Sequence, residues 1–158
     1  MSESAQLEQQ AEAVVVASRV LVAVSAESIA AVEDTVTMTQ LRALVVIASH
    51  QSMNVADLAQ ALAVHASSAT RVVDRLLAAG LVSRRDNPAD RRHLVLEITP
   101  GGRRLLRTVM RRRQSAIKAI LTRMPPEERP GVAAAFRRFA EAGGEIAPAQ
   151  LWRMAWTS

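Results

Sequence analysis

The stretch from Asn54 to Gly80 constrains the fold most, because it predicts two short amphipathic helices joined by a tight turn. In its second half, apolar residues recur at positions i, i+3, i+4, i+7 and i+8, which places them on one helix face. These residues are Ala69, Val72, Val73, Leu76 and Leu77. In the first half Asn54 is suited to cap a helix on which Leu58 and Leu62 face inward. The pattern therefore predicts a helix-turn-helix.

The exposed edge of the second helix carries short hydroxyl side chains, followed one turn later by arginine. Small residues at a helix start let the backbone approach nucleic acid closely, and an arginine can then bind a guanine edge or a phosphate. On this interpretation the major-groove contacts are His65, Ser67, Ser68, Thr70, Arg71 and Arg75. Any pair of amphipathic helices could imitate the pattern, so a plain helical bundle is the alternative that this stretch leaves open.

A β-hairpin with a charged tip is predicted directly after the second helix. Gly80 ends the helix, the residues from Leu81 to Arg85 alternate in polarity, and His93 to Thr99 forms the second strand after a polar turn. One face of that strand carries its apolar side chains, Leu94, Leu96 and Ile98. A hairpin appended to a recognition helix is a wing, suited to phosphates or the minor groove. The predicted wing contacts are Arg84, Arg85, Asp90, Arg91 and Arg92.

Several short motifs occur together between Thr37 and Gly102. They are T-x-x-Q-x-x-x-L and DLAQAL before the turn, V-D-R-L and G-L-V around the second helix, and D-R-R followed by a strand and T-P-x-G. In this combination the chain resembles the MarR family of winged helix-turn-helix transcription regulators. The turn departs from the family, since it is Ala63, Val64 and His65 where the family has Gly-Val-Ser. Alanine at a turn position that needs a positive φ costs about 1 kcal/mol.

The resemblance implies a mainly α fold with a small β-hairpin wing. A winged helix-turn-helix domain, residues 37–99, is then flanked by an N-terminal dimerisation helix and loop, residues 1–36, and by C-terminal dimerisation helices and a tail, residues 100–158. It also implies a homodimer on a palindromic operator in double-stranded DNA, because two recognition helices about 34 Å apart meet successive major grooves. We expect a sequence-specific regulator of this kind to act as a repressor.

Helical segments flank the motif region on both sides. Residues 5–32 predict a helix that is apolar almost all round in its middle, and we expect it to be buried between subunits. A membrane span needs about 20 predominantly apolar residues, and Arg19 interrupts this one, so no membrane is expected. Thr37 and Gln40 have capping-box spacing for a helix from about Met38 to Ser49. After the hairpin, helices are predicted from Pro100 to about Met124 and from about Glu127 to Ala142.

The positive charge is concentrated on the predicted DNA-binding segment. Residues 1–62 carry a net charge of −5, residues 63–113 carry +8 and residues 114–158 carry +2. This concentration indicates a polyanion partner, since a charge that served only solubility would be spread along the chain. The absence of cysteine excludes disulfides, thiolate zinc sites and a cysteine-based redox sensor, and it fits a cytoplasmic location.

No catalytic or metal-binding motif is present in the sequence. His50, His65 and His93 are far apart and lack acidic residues at metal-ligand spacing, so we expect no metal, no cofactor and no enzyme activity. Two other binding functions stay open, a sequence-tolerant architectural DNA binder and a basic helical module that docks an acidic protein or an RNA. Single-stranded RNA binding would need stacking aromatics, and the chain has two Phe, two Trp and no Tyr.

A small-molecule effector is expected from the family resemblance alone. The resemblance implies an aromatic or phenolic anion bound between the DNA-binding domain and the dimerisation helices. The apolar residues that would line such a site are Met38, Leu41 and Val45. Core packing is the alternative role for each of them.

Overall fold

The chain folds into helices with a two-stranded antiparallel sheet that packs against several of them. The computed structural model describes residues 2–30, 32, 35–50, 53–86 and 94–144, and within these ranges it has six helices and two strands. In chain order they are α1 (Glu3–Ala30), α2 (Met38–Ser49), α3 (Val55–Leu62), α4 (Ala66–Ala78), β1 (Val82–Asp86), β2 (Leu94–Ile98), α5 (Pro100–Thr122) and α6 (Arg129–Ala142). The predicted mainly α fold with a hairpin is confirmed. The hairpin tip, residues 87–93, and the tail after Gly144 lie outside the described residues.

Side-chain caps determine where α2 and α3 begin. The backbone N–H of Thr37 donates to Gln40 Oε1 at 2.7 Å, and Gln40 N–H donates back to Thr37 Oγ1 at 3.3 Å. At α3, Asp57 N–H donates to Asn54 Oδ1 at 2.9 Å, and Asn54 N–H donates to Asp57 Oδ2 at 3.2 Å. Each capping box satisfies two backbone donors that have no partner within the helix. The capping predicted from sequence is confirmed for both helices.

The turn between α3 and α4 contains an alanine in the left-handed region. Ala63 has φ 54° and ψ 46°, and it is the one described non-glycine residue with a positive φ. The N–H of Ala63 donates to Gln60 O and that of Val64 donates to Ala59 O, both at 3.0 Å. These are the two bonds of a Schellman motif, for which glycine is the usual residue. Ala63 therefore has the positive φ for which the sequence predicts a conformational cost.

A second Schellman motif ends α4 and leads into the hairpin. Gly80 has φ 66°, its N–H donates to Leu77 O at 2.9 Å, and Leu81 N–H donates to Leu76 O at 3.0 Å. The glycine predicted to end this helix is thus confirmed in that role. The strand that follows is Val82–Asp86, one residue later than predicted, because Leu81 belongs to the helix-ending motif.

The hydrophobic core lies where α2 meets α3, α4, α5 and β2. Its most completely buried large side chains include Leu44, Ile47, Leu58, Leu76 and Leu96. Leu94, which the sequence places on one strand face with Leu96 and Ile98, is 50% exposed, whereas Leu96, Ile98 and Val95 are buried. Leu94 pairs with Asp86, the last pair of the sheet before the hairpin tip, and so lies at the end of the hairpin farthest from Val82 and Ile98.

The predicted ends of the long helices differ from the structure by about two residues. α1 is Glu3–Ala30 and not 5–32, while α5 ends at Thr122 and not at Met124. Past that end the N–H of Arg123 donates to Ile120 O, a tighter turn than an α-helix makes. The side chain of Arg129 then donates to Thr122 O and Met124 O, which holds the link between α5 and α6.

Helix α1 packs along α5 and leaves most of its apolar surface uncovered. Its buried residues are Val24, Ser28 and Ile29. The exposed large apolar side chains are Leu7, Val14, Val15, Val16, Val20, Leu21 and Val22. Among the described helices, α1 alone is long and apolar enough to cross a membrane by length and composition. A helix that is buried between two subunits has the same properties.

Replacing Ala63 by glycine should stabilise the protein. A left-handed conformation costs alanine roughly 1 kcal/mol, whereas glycine adopts it without a Cβ clash. We expect Ala63→Gly to raise the free energy of unfolding by up to about 1 kcal/mol, as measured by chemical denaturation. Ala61→Gly is the matched control, because Ala61 is exposed inside α3 and glycine there should cost about 1 kcal/mol. Equal effects of the two substitutions would contradict this account of the turn.

Candidate nucleic-acid interface

Helix α4 presents a polar edge to solvent because its opposite face is buried. Ala69, Val73 and Leu76 have 0% exposed surface and face the core. The side chains of all the residues predicted for the major groove are exposed, namely His65, Ser67, Ser68, Thr70, Arg71 and Arg75. The structure thus brings these residues together on one edge of one helix. Their contact with DNA stays a prediction.

The N-terminus of α4 is open. His65 occupies the N-cap position with extended backbone angles, and its side chain makes no capping hydrogen bond. The hydroxyl of Thr70 donates to Ala66 O at 2.9 Å, so it can still accept a bond from a ligand. Because the helix dipole places partial positive charge at this end, the first turn of α4 is suited to approach a phosphate.

The hairpin holds its two strand arginines in ion pairs. Arg84 Nη2 donates to Asp74 Oδ1 at 3.2 Å, which links β1 to α4. Arg85 Nη2 donates to Glu97 Oε1 at 2.7 Å, which links β1 to β2. The predicted wing-tip residues Asp90, Arg91 and Arg92 lie outside the described residues.

A dense junction fixes the hairpin against the end of α4 and the start of α5. Thr99 Oγ1 donates to Gly80 O at 2.7 Å and accepts from Gly102 N–H at 3.1 Å, so one side chain joins all three elements. Gly102 has no room for a side chain, since an added Cβ would overlap Leu81 O and lie 2.8 Å from Ile98 Cγ1. The orientation of the hairpin relative to α4 is therefore set by packing.

Sequence reasoning missed three features of this region. The first is the ion pair of Asp74 with Arg84, and the second is the close packing of Leu81 and Ile98 against Gly102. The third is the bond from Leu96 N–H to Met53 O at 2.7 Å, which ties β2 to the segment before α3. The motifs V-D-R-L and T-P-x-G contain Asp74 and Gly102, but spacing along the chain does not reveal their partners.

The three predicted pocket residues line a common cavity between α1, α2 and α5. Its volume is about 660 Å³, and Met38, Leu41 and Val45 form its α2 wall. The remaining lining residues are Ser18, Leu21, Val22, Ser25, Ala26, Arg42, Met110 and Arg113. Leu41 is buried, whereas Met38 is exposed. Arg113, one of the lining residues, has a buried Nε with no hydrogen-bond partner in the described part of the chain.

The described residues contain no group of three His, Asp or Glu side chains placed to hold a metal ion. His50 Nδ1 lies 2.8 Å from Val46 O and 3.1 Å from Ser49 Oγ at the end of α2. His65 is exposed at the start of α4, and His93 lies outside the described residues. Within the described ranges, this surface presents hydroxyl groups and arginines, together with the carboxylates that pair with the strand arginines.

Comparison with known proteins gives consistent similarities. The model of the MarR family matches residues 36–94. A Bacillus subtilis (strain 168) protein, the uncharacterized HTH-type transcriptional regulator YfiV, is 28% identical over 95 residues. That alignment covers 60% of this chain and 59% of YfiV, so it spans less than two thirds of that relative.

Solved structures are similar over nearly the whole chain. Rv1404 from Mycobacterium tuberculosis is 41% identical, with a TM-score of 0.81 over 93% of this chain and 99% of that one. The transcriptional regulator Tm0710 from Thermotoga maritima is 26% identical, with a TM-score of 0.70 over 85% and 94%. A MarR family protein from Bacillus stearothermophilus, 21% identical with a TM-score of 0.75 over 92% and 99%, shares the fold.

Proposed function

The chain belongs to the MarR family of DNA-binding transcription regulators, which are not enzymes, and we propose that it is a homodimeric repressor of a palindromic operator. The observation that carries the proposal is the exposed edge of α4, where Arg71 and Arg75 follow Ser67 and Ser68 beside an open helix N-terminus. The B-DNA major groove is about 12 Å wide and admits such a helix. Arginine there can bind guanine O6 and N7 together, which provides sequence specificity.

The hairpin supplies the second proposed contact with DNA. It follows α4 directly and is fixed to it through Leu81 and Thr99. Its strand residues Arg84 and Arg85 are exposed, and the proposed tip contacts are Asp90, Arg91 and Arg92. A wing of this kind binds phosphates or the minor groove and thereby positions the recognition helix.

The uncovered apolar surface supports the proposed homodimer. Besides the exposed valines of α1, helix α6 has no buried residue, and Phe136 and Phe139 are exposed on it. A groove of about 270 Å³ between these helices is lined by apolar side chains, Ala13, Val14, Ala17, Ala135, Phe136 and Phe139. Contiguous apolar surface of this kind marks an interface. A second copy related by a two-fold axis would cover it and would place two α4 helices on successive major grooves.

The proposed division of the chain follows from these surfaces. Residues 37–99 form the DNA-binding domain, whereas residues 1–36 and 100–158 carry the dimerisation helices. The division is not a break in the core, because Ile29 of α1 and Leu106 and Val109 of α5 belong to the same buried cluster as Leu44 and Leu76. Movement of the dimerisation helices would therefore shift the residues that pack beneath α4. We place the regulator in the cytoplasm, where operator DNA is accessible.

The cavity between α1, α2 and α5 is the proposed effector site. Its wall is apolar apart from two serines and two arginines, Arg42 and Arg113. A small aromatic or phenolic anion would fill the apolar part, and its charge would pair with the guanidinium of Arg113. Because the cavity separates the dimerisation helices from α2, its occupation would change the spacing of the two α4 helices. A ligand that prefers the altered spacing releases the operator.

Arg71→Ala tests the recognition helix. We expect it to weaken binding to the preferred duplex by about 1 to 3 kcal/mol and to relax the choice of base at one position, because a bidentate base contact is lost. Selection from random duplex DNA identifies the site, and affinities for matched and scrambled duplexes measure the loss. Arg123→Ala removes the same charge at an exposed position after α5 and should keep the parent's discrimination. An unchanged matched-to-scrambled ratio for Arg71→Ala would favour an architectural DNA binder.

Phe139→Glu tests the homodimer. Sedimentation should show the parent as a dimer at micromolar concentration, and a charge in the apolar groove should shift the variant toward monomer because it leaves an unpaired charge at the interface. Leu94→Glu is the matched control, since Leu94 is equally apolar and is exposed on the hairpin. A folded, stable parent monomer at micromolar concentration would refute the dimer.

Arg113→Gln tests the effector site. Benzoate and its hydroxylated derivatives are suitable probes, because each combines an aromatic ring with an anionic group. Loss of a charge-assisted hydrogen bond of about 1.5 to 3 kcal/mol should weaken their binding roughly 10- to 100-fold, as measured by calorimetry. Arg111→Gln, at an exposed position on the same helix, should bind them as the parent does. Equal affinities of both variants would mean that Arg113 is not the anion partner.

A further inference from the structure

The proposed DNA-binding edge of α4 carries one carboxylate, that of Asp74. It follows Arg71 by three residues, and side chains at this spacing are neighbours on a helix surface. A negative charge on this edge repels phosphates, so it opposes the binding of any duplex. Asp74 makes no ion pair with Arg71 or Arg75 among the described residues, and it pairs instead with Arg84 of β1 at 3.2 Å.

The position of Arg84 on the hairpin explains this pairing. In the sheet register Arg84 lies opposite Leu96, which is buried, so its side chain leaves the hairpin on the face that packs toward α4. Arg85 leaves on the other face and pairs with Glu97. The side chains of Arg84 and Asp74 remain 37% and 57% exposed, so the pair lies at the surface, accessible to a phosphate.

The arginines of the proposed interface therefore fall into two groups. Arg71 and Arg75 of α4 make no ion pair with any described residue, whereas Arg84 and Arg85 of β1 are each held by a carboxylate. An arginine beside a carboxylate has part of its charge compensated and contributes less to counterion release. The two groups are expected to act differently on DNA.

We propose that Asp74 is a selectivity residue that restrains Arg84 from binding phosphates. Without this restraint Arg84 would add a contact that every duplex offers, which raises non-specific affinity. The carboxylate suppresses that contact and leaves discrimination to the base contacts of α4, so specificity is gained by weakening the wrong complexes. The proposal rests on the DNA-binding role given above to α4 and the hairpin.

The experiment compares the full-length parent with Asp74→Asn, which keeps the side-chain shape and removes the charge. Affinities for the matched and a scrambled duplex are measured from 50 to 200 mM salt. One released phosphate contact per subunit steepens the salt dependence by about 0.9 in slope, so the scrambled duplex should lose roughly 3.5-fold more affinity per subunit across this range. At 50 mM salt Asp74→Asn should bind the scrambled duplex more tightly than the parent does. The ratio of matched to scrambled affinity should therefore fall.

Two further variants assign the effect to Arg84. The double variant Asp74→Asn with Arg84→Gln should return the slope to the parent value, because the released arginine is absent. Glu97→Gln removes the same charge from the other face of the hairpin, where Arg85 is already mostly exposed, and it should keep the parent slope. A steeper slope in Asp74→Asn alone supports the proposal.

The results that would overturn the proposal can be told apart from one another. The proposal is overturned if Asp74→Asn keeps the parent slope, if it weakens both duplexes alike with a lowered thermal midpoint, or if Glu97→Gln steepens the slope equally. A slope that stays steep in the double variant also overturns it, since the effect would not pass through Arg84. Failure of the proposed function would be detected separately. Arg71→Ala tests base discrimination, and that test does not depend on the salt slope.

Discussion

The burial of one face of α4 is the constraint on which the proposed DNA-binding surface depends. Ala69, Val73 and Leu76 pack into the core, where α4 contacts α2 and α3. Each large aliphatic side chain buried in this way contributes about 1.5 to 3 kcal/mol, and rotation of the helix would expose them all. The serine and arginine side chains on the opposite edge are therefore held outward. The rigidity of this edge comes from the core beneath it.

The same rigidity extends to the hairpin through short-range packing and not through its ion pairs. Thr99 bonds Gly80 and Gly102 at once, and the space beside Gly102 is filled by Leu81 and Ile98. Exposed ion pairs contribute at most about 1 kcal/mol to stability. The charges of Arg84 and Asp74 are thus free to serve binding, since the orientation of the hairpin does not depend on them.

The proposed regulation follows from how the core is shared. Helices α1 and α5 contribute to the buried cluster that supports α4, while much of the apolar surface of α1 is uncovered. The cavity with the buried Arg113 Nε lies between these helices and α2. Dimerisation, effector binding and operator binding would then act on the same packed elements. A ligand needs only a different affinity for two arrangements of these helices to shift the equilibrium between them.

The sequence by itself determined the starts of α2 and α3, the helix-turn-helix, the hairpin and the outward edge of α4. Capping boxes, a helix-ending glycine and apolar periodicity act within about one or two turns, so local residue types specify them. Tertiary structure alone decided that Leu94 is exposed while Val95 is buried, that Asp74 pairs with Arg84, and that Arg113, which lines the cavity, has a buried Nε without a described partner. These features depend on which distant segments meet, because packing of the whole chain sets strand position and side-chain partners. Residue spacing along the sequence contains no direct record of those contacts.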